Sequence, residues 1–232
     1  MNDLNAEFLQ QRAELLYTFD ENNRLTGINE EESEQAIPYF YLMRTAQHTL
    51  CRIRHDVPDA IAHYLKTLVE TELLTSDLQA PLHQQAYYDL LARHFTIDKI
   101  ELGPAYRLPE STPTEKTVLI TPKNRDVLRA NFAYGIREFD DINPIVVYVV
   151  DGDAVAICFC ARRTNFGAEA GVYTVEAYRG NGYAPLVVRD WSIAIHQTNR
   201  LPLYSTSHHN LASQAVANKL GAIQYGTDFS LV

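Results

Sequence analysis

The stretch VYTVEAYRGNGYAPLVVRDW, residues 172–191, decides how this chain is read. It opens on alternating β-forming residues, passes through Arg179-Gly180-Asn181-Gly182, and closes on an amphipathic helix whose stripe is Val187, Trp191, Ala194 and Ile195. A strand that stops at Val175, with glycines just before a helix, leaves backbone N–H groups without intrahelical partners at the helix N-terminus. The positive pole of the helix dipole lies at the same end, so the turn suits an anion. Glycine matters there because a side chain would block the approach of a phosphate to the backbone, and Arg179 adds a permanent positive charge. The two commonest nucleotide motifs do not fit. Pro185 occupies the place of the last glycine of a dinucleotide fingerprint, and no Gly-Lys-Ser/Thr follows as in a P-loop.

Outward from this turn, the second half is regular. TVLIT (117–121) reads as a strand and PKNRDVLRANFAY (122–134) as a helix opened by Pro122. PIVVYVV and AVAICFCAR are strands joined by Asp151-Gly152, a dipeptide that favours a tight hairpin turn. EAGVYTV is the strand before the glycine turn. The helix from Pro185 to about His196 comes next, then the strand LPLYST, the helix NLASQAVANKL and the closing strand AIQYGTDFSLV.

The first half reads as an α+β unit without a chemical motif. ELLYTFDENNRLTGI is a hairpin with an Asp-Glu-Asn-Asn turn, EEESEQAIP (30–38) a solvated loop or short helix end, and PYFYLMR and TLCRIR two short strands. A helix starting at Pro58 carries Ile61, Leu65, Leu68 and Leu73, and a second lies in APLHQQAYYDLLARHF. LGPAYRLPESTPTEKT (102–117), with Pro104, Pro109 and Pro113, is the candidate linker, although it could instead cross an active site. The boundary is set there, giving an N-terminal α+β region, 1–112, and a second domain, 113–232.

The chain has 232 residues, of which 46% are hydrophobic, enough to bury a core. Its net charge of −9 argues against nucleic acid, which needs a basic stripe, and suits a cationic substrate. The opening MNDLNAEFLQ lacks the basic and apolar regions of a signal peptide, and no run approaches the roughly 18 apolar residues that span a bilayer. A cytoplasmic protein without a membrane partner is expected. Of three cysteines, Cys158 and Cys160 flank Phe159 on one strand face, which reads as core packing; no metal site is expected.

Two segments together carry a family resemblance. Arg179-Gly180-Asn181-Gly182-Tyr183-Ala184 resembles the Arg/Gln-x-x-Gly-x-Gly/Ala signature of the GNAT N-acetyltransferase superfamily. Further on, Asn210-Leu-Ala-Ser-Gln-Ala-Val-Ala-Asn-Lys-Leu-Gly221 is similar to the family's second signature, and the helix, strand and helix between them follow the family's order. The resemblance covers roughly residues 115–232. It implies a central mixed, mostly antiparallel sheet with a splayed strand pair, flanked by helices (an α/β or α+β fold), beside the N-terminal α+β region. It also implies acetyl-CoA as cosubstrate. Arg179, Gly180, Asn181, Gly182, Tyr183 and Ala184 would form the pyrophosphate turn. Thr174 and Val175 would pair with the pantetheine arm, in the gap between their strand and Leu203–Thr206. A main-chain N–H near Val175 would polarise the acetyl carbonyl. Asn210 would bind the pantetheine side or cap the helix it begins, two compatible roles.

Transfer of an acetyl group to an amine needs a base and can use an acid. Counting back from Val175 by the family's spacing lands on Glu169 as the base, directly or through water, whereas Glu176 reads as solvated. The family's tyrosine acid is replaced by Ala217. Either the thiolate leaves without a dedicated acid, or Ser213, Tyr225, His208 or His209 serves; Ser213, one turn earlier on the same helix face, is the catalytic candidate and also a cofactor contact. The expected activity is direct acetyl transfer to a primary amine of a small molecule or peptide. The alternative, raised by Ala217, is a non-catalytic acyl-CoA-binding regulatory module. Oligomeric state is not readable.

Overall fold

A computed structural model describes residues 5–30 and 36–232 of the protein. The acidic segment 30–38 lies for most of its length outside the described residues. The chain forms two compact units. The first comprises Met1–Ala105 together with Thr206–Asn210 and Gln224–Val232; the second comprises Tyr106–Ser205 and Leu211–Ile223.

The first unit opens on a helix, α1 (Ala6–Leu16), where the sequence reading had only a hairpin arm. Asn5 caps it, its side chain accepting from Phe8 N at 3.0 Å, and Phe8, Leu9, Ala13, Leu15 and Leu16 turn inward. The expected hairpin follows as β1 (Tyr17–Phe19) and β2 (Leu25–Ile28), its turn held by the Asp20 carboxylate accepting from Asn22 N and Arg24 N, both at 2.9 Å. Next come β3 (Phe40–Arg44), β4 (Thr49–Ile53), α2 (Asp59–Glu70), α3 (Gln84–Ala92) and β5 (Ile100–Arg107). Strand order in this unit is β4-β3-β11-β5, where β11 is the closing strand Ile223–Leu231 and pairs antiparallel with β3. Ile61 and Leu65 of α2 and Tyr87 and Leu91 of α3 bury against Phe40, Leu42, Phe229 and Leu231. Each such aliphatic side chain contributes about 1.5–3 kcal/mol by leaving water. Leu73, expected on the α2 stripe, lies past the helix end and is exposed.

The segment read as a linker is partly strand, because residues 100–107 form β5. Pro104 is tolerated there, since its carbonyl still accepts from Thr206 N at 3.2 Å and only its missing N–H is lost to the ladder. The loop after β5 is tied down as well. Thr114 N, Thr114 Oγ1 and Thr117 Oγ1 donate to the Asp190 carboxylate, the two hydroxyls at 2.7 and 2.6 Å.

The second unit contains β6 (Val118–Leu119), α4 (Tyr134–Arg137), α5 (Phe139–Ile142), β7 (Val146–Val150), β8 (Asp153–Arg163), β9 (Gly167–Thr174), α6 (Tyr183–His196), β10 (Leu201–Ser205) and α7 (Leu211–Lys219). The strand read in TVLIT is short, and the helix expected over 122–134 is broken into a 3-10 turn, Arg125–Leu128, followed by α4. Two asparagine side chains that bond to backbone, one locally and one to a distant strand, account for the break. Asn124 Oδ1 accepts from Thr121 N, and Asn131 Nδ2 reaches the Ala154 carbonyl at 2.9 Å.

Strand order here is β10-β9-β8-β7-β6, antiparallel throughout except for the β10–β9 pair. Asp151 and Gly152, at φ 51° and 92°, make the tight β7–β8 turn. Side-chain alternation sorts the core into two layers. Val146, Ala156, Cys158 and Cys160 face Val187, Trp191 and Ile195 of α6 and Ala217 of α7. Ile145, Val147 and Ile157 face Leu128 and Phe132. The two cysteines thus share one buried face, and burial raises both thiols, Cys160 to about 11. The result is a mixed α+β fold with a mostly antiparallel sheet flanked by helices. Among the described residues no helix is long and apolar enough to cross a membrane.

Candidate active site

Strands β9 and β10 run side by side only briefly. Their parallel register joins Leu201 to Gly167, Pro202 to Ala168 and Leu203 to Glu169, and goes no further. Beyond Glu169, β9 continues along β8 as far as Thr174, opposite Ala156. This is the expected splayed pair, and Glu169 stands at the fork.

The open edge of β9 has a definite parity. Val175 N donates to the Val155 carbonyl at 2.9 Å, so its N–H points toward β8 and is used. Of the main-chain N–H groups near Val175 expected to polarise a carbonyl in the gap, that of Val175 itself is therefore already used. Successive residues of a strand point their N–H groups to opposite edges. Thr174 and Val172 therefore turn theirs away from β8. The Thr174 carbonyl faces the same way and accepts from Arg179 Nε at 3.2 Å, which folds the arginine back over the strand end.

Between strand and helix, Glu176–Tyr178 make one 3-10 turn, and the chain then passes through Gly180 (φ 81°) and Gly182 (φ 79°). Both conformations lie in the left-handed region that side chains disfavour, which is why two glycines stand here. Gly182 is the N-cap of α6, and no side chain among the described residues caps it. A Cβ at Gly180 or Gly182 would meet no described atom within 4 Å, so it would project into open space in front of the helix end. Tyr183 and Ala184 contribute the first helical N–H groups, while Pro185 has none to contribute. The Asn181 side chain turns inward instead, Nδ2 donating to the Tyr178 carbonyl at 3.0 Å, so it shapes the turn. Tyr183 stacks on Tyr148 at 4.0 Å between ring centroids, which anchors the turn to β7. These residues fit a pyrophosphate: two open glycines and an uncapped helix N-terminus, with the Arg179 guanidinium held at the adjoining end of β9.

Two hydroxyl pairs flank β10. Ser205 Oγ donates to Glu169 Oε1 at 2.6 Å, and Glu169 is only 3% exposed. Arg162 stands opposite Glu169 in the β8 register. On the other face of the strand, the buried Tyr204 places its Oη 2.6 Å from Ser213 Oγ on α7. Burial pushes the Tyr204 phenol up to about 12. Ala217, at the position of the family's tyrosine, is fully buried in the same core as the Tyr204 ring.

The second unit contains Glu169, Thr174, Val175, the turn Arg179–Ala184 and Ser213. Asn210, His208 and His209 belong to the short segment that clusters with the first unit, as does Tyr225, which packs edge-on against Phe8 at 5.0 Å. Sequence reasoning missed Ser205 and Tyr204. The available signal was their being consecutive polar side chains on a strand that ends beside the gap. Among the described residues no group of three or more His, Cys, Asp or Glu could hold a metal.

No protein-family model matches the chain, and no curated protein sequence matches it. Solved structures do. A GCN5-related N-acetyltransferase-like protein from Streptococcus suis is similar over 98% of this chain and 99% of its own, with 19% identity and a TM-score of 0.49. A GNAT-family acetyltransferase from Colwellia psychrerythraea is similar over 79% and 76%, with 13% identity and a TM-score of 0.46. A protein from Novosphingobium aromaticivorans assigned to the GNAT family is 16% identical over 59% of this chain, with a TM-score of 0.46, and this chain spans 66% of that protein's length.

Proposed function

We propose that this protein transfers an acetyl group from acetyl-CoA directly to a primary amine of a small molecule or peptide in a ternary complex. The observation that supports this reading most is the conjunction along β9: a strand pair that parts at a buried carboxylate near the strand's start, and an uncapped glycine turn at a helix N-terminus beyond its other end.

In this reading the N–H groups of Gly182, Tyr183 and Ala184 and the Arg179 guanidinium hold the pyrophosphate. The open edge of β9 at Val172 and Thr174 pairs with the pantetheine arm as another strand would, and the Thr174 N–H, next to Val175, is the donor to the acetyl oxygen. Bound acetyl-CoA supplies an acetyl carbon activated as a thioester. The amine nitrogen bonds to that carbon, the carbon–sulfur bond breaks with its electron pair on sulfur, and the amine's proton passes to Glu169, directly or through water. Ser213, backed by Tyr204, faces the departing sulfur in place of the residue missing at Ala217. The net charge of −9 favours a cationic acceptor such as a polyamine, an amino sugar or a lysine side chain.

Free-thiol release from acetyl-CoA, measured against a panel of such amines, tests the proposal. The expected result is release that requires an amine and saturates with it. Acetyl-CoA that binds and is never consumed with any amine would instead leave the acyl-CoA-binding module.

A further inference from the structure

The hydrogen bond from Ser205 to Glu169 does something the register of the sheet does not require. Leu203 is the partner of Glu169 along the backbone, and the parallel ladder ends there. Ser205 lies two residues further on, on the same face of β10, where the strands have begun to part. Its side chain nevertheless reaches across the opening to Glu169 Oε1 at 2.6 Å. Ser205 itself is half-buried, so it sits at the lip of the gap. A short O–H···O bond to a carboxylate is among the stronger neutral-to-charged contacts. Held in this way, one oxygen of Glu169 is fixed and the plane of the carboxylate is set by a group from the opposite strand.

We propose that Ser205 is a positioning residue for Glu169, holding its carboxylate aimed at the acceptor amine. The inference rests on the transferase reading for its chemical consequence, and on the β9–β10 geometry alone for the hydrogen bond. The other groups around Glu169 act from different directions: Arg162 stands opposite on β8, and the neutral Tyr204 phenol neighbours it on β10. Ser205 differs from both in reaching Glu169 from β10: Arg162 approaches from β8, and Tyr204 points to the opposite face of its strand. The Ser205 hydroxyl gives up no proton; it donates a hydrogen bond to the carboxylate, which accepts the amine's proton and passes it on to water.

The test compares wild type, Ser205→Ala and Ser205→Thr. Carbon-13 NMR with labelled glutamate follows the Glu169 carboxyl through a pH titration, its resonance assigned by its loss in Glu169→Gln. Loss of the hydrogen bond moves this titration to higher pH in the alanine variant, and threonine restores it. The acid limb of the kcat/KM profile for amine-dependent thiol release moves to higher pH by the same amount, and its plateau falls roughly tenfold. A merely structural serine would lower thermal stability without moving either titration. A Glu169 resonance that titrates identically in wild type and Ser205→Ala overturns the proposal. A shifted resonance in a protein that turns over no amine keeps the Ser205–Glu169 coupling and rejects the transferase reading.

Discussion

Glu169→Gln lowers kcat for amine acetylation by about two to four orders of magnitude, the span that a positioned general base contributes. The substitution isolates the proton transfer because so little else changes. Glutamine keeps the shape of the side chain, fills the same buried position, and still offers an oxygen to the Ser205 hydroxyl, which now reaches Glu169 at 2.6 Å. What is lost is the ability to take a proton from the attacking amine. Acetyl-CoA affinity therefore stays within about threefold of wild type, since no contact assigned to the cofactor passes through this carboxylate. Steady-state thiol release at saturating amine, paired with a binding isotherm for acetyl-CoA, checks both halves. A variant that retains full kcat would remove Glu169 from the mechanism and shift the proton to solvent.

The second large effect concerns folding. Glu72→Ala destabilises the first unit by about 3–5 kcal/mol, the cost of removing one partner from a buried ion pair. Glu72 is 7% exposed and lies just past the end of α2. Its carboxylate meets Arg44 Nε at 3.4 Å and accepts from Leu82 N at 2.9 Å, His83 N at 3.0 Å and Tyr87 Oη at 2.9 Å. Arg44, itself buried, also donates to the carbonyls of Ala80 and Leu73. One carboxylate thus organises the connection between α2 and α3. Alanine leaves a buried guanidinium without its counter-charge and three donors, the buried Tyr87 hydroxyl among them, without their acceptor. Urea unfolding of wild type and variant measures the difference, and a loss below about 1 kcal/mol would show that the connection finds other partners.

How much of this could be read from the residues depended on whether the cause was local. The Asp151-Gly152 hairpin, α2 beginning after Pro58 and the strand–glycine–helix turn at 172–191 each follow from neighbours within a few positions, and each is present. Helix α1 had a local signal too, the Asn5 cap on Phe8, but it runs into β1 with no glycine or proline to mark the joint, so helix and hairpin merged in the reading. Over 122–134 Pro122 suited a helix start, and the bonds of Asn124 and Asn131 outweighed it. At the site, the glycine turn follows from neighbouring residues, whereas Glu169 was singled out only by the spacing that the family resemblance implies. The partners of Glu169 and Ser213 were not legible. Ser205 is 36 residues from Glu169 and meets it only because β10 returns parallel to β9. Which N–H groups of β9 face the gap depends on its register with β8. That register spends the Val175 N–H on Val155 and presents Thr174. Glu72 and Arg44 likewise meet only through tertiary packing.

The central claim is that the glycine turn before α6 binds the pyrophosphate of acetyl-CoA, and calorimetric titration of acetyl-CoA into wild type and Gly182→Trp tests it most directly. A Cβ at Gly182 would enter open space in front of the helix, so an indole there obstructs the anion without striking the core. Its left-handed backbone adds about 1–2 kcal/mol of strain, which a melting curve separates from lost binding. The account predicts saturable binding to wild type and at least a hundredfold weaker binding to a folded Gly182→Trp, about 2.7 kcal/mol or more. Undiminished binding to the variant, or none to wild type, would contradict it.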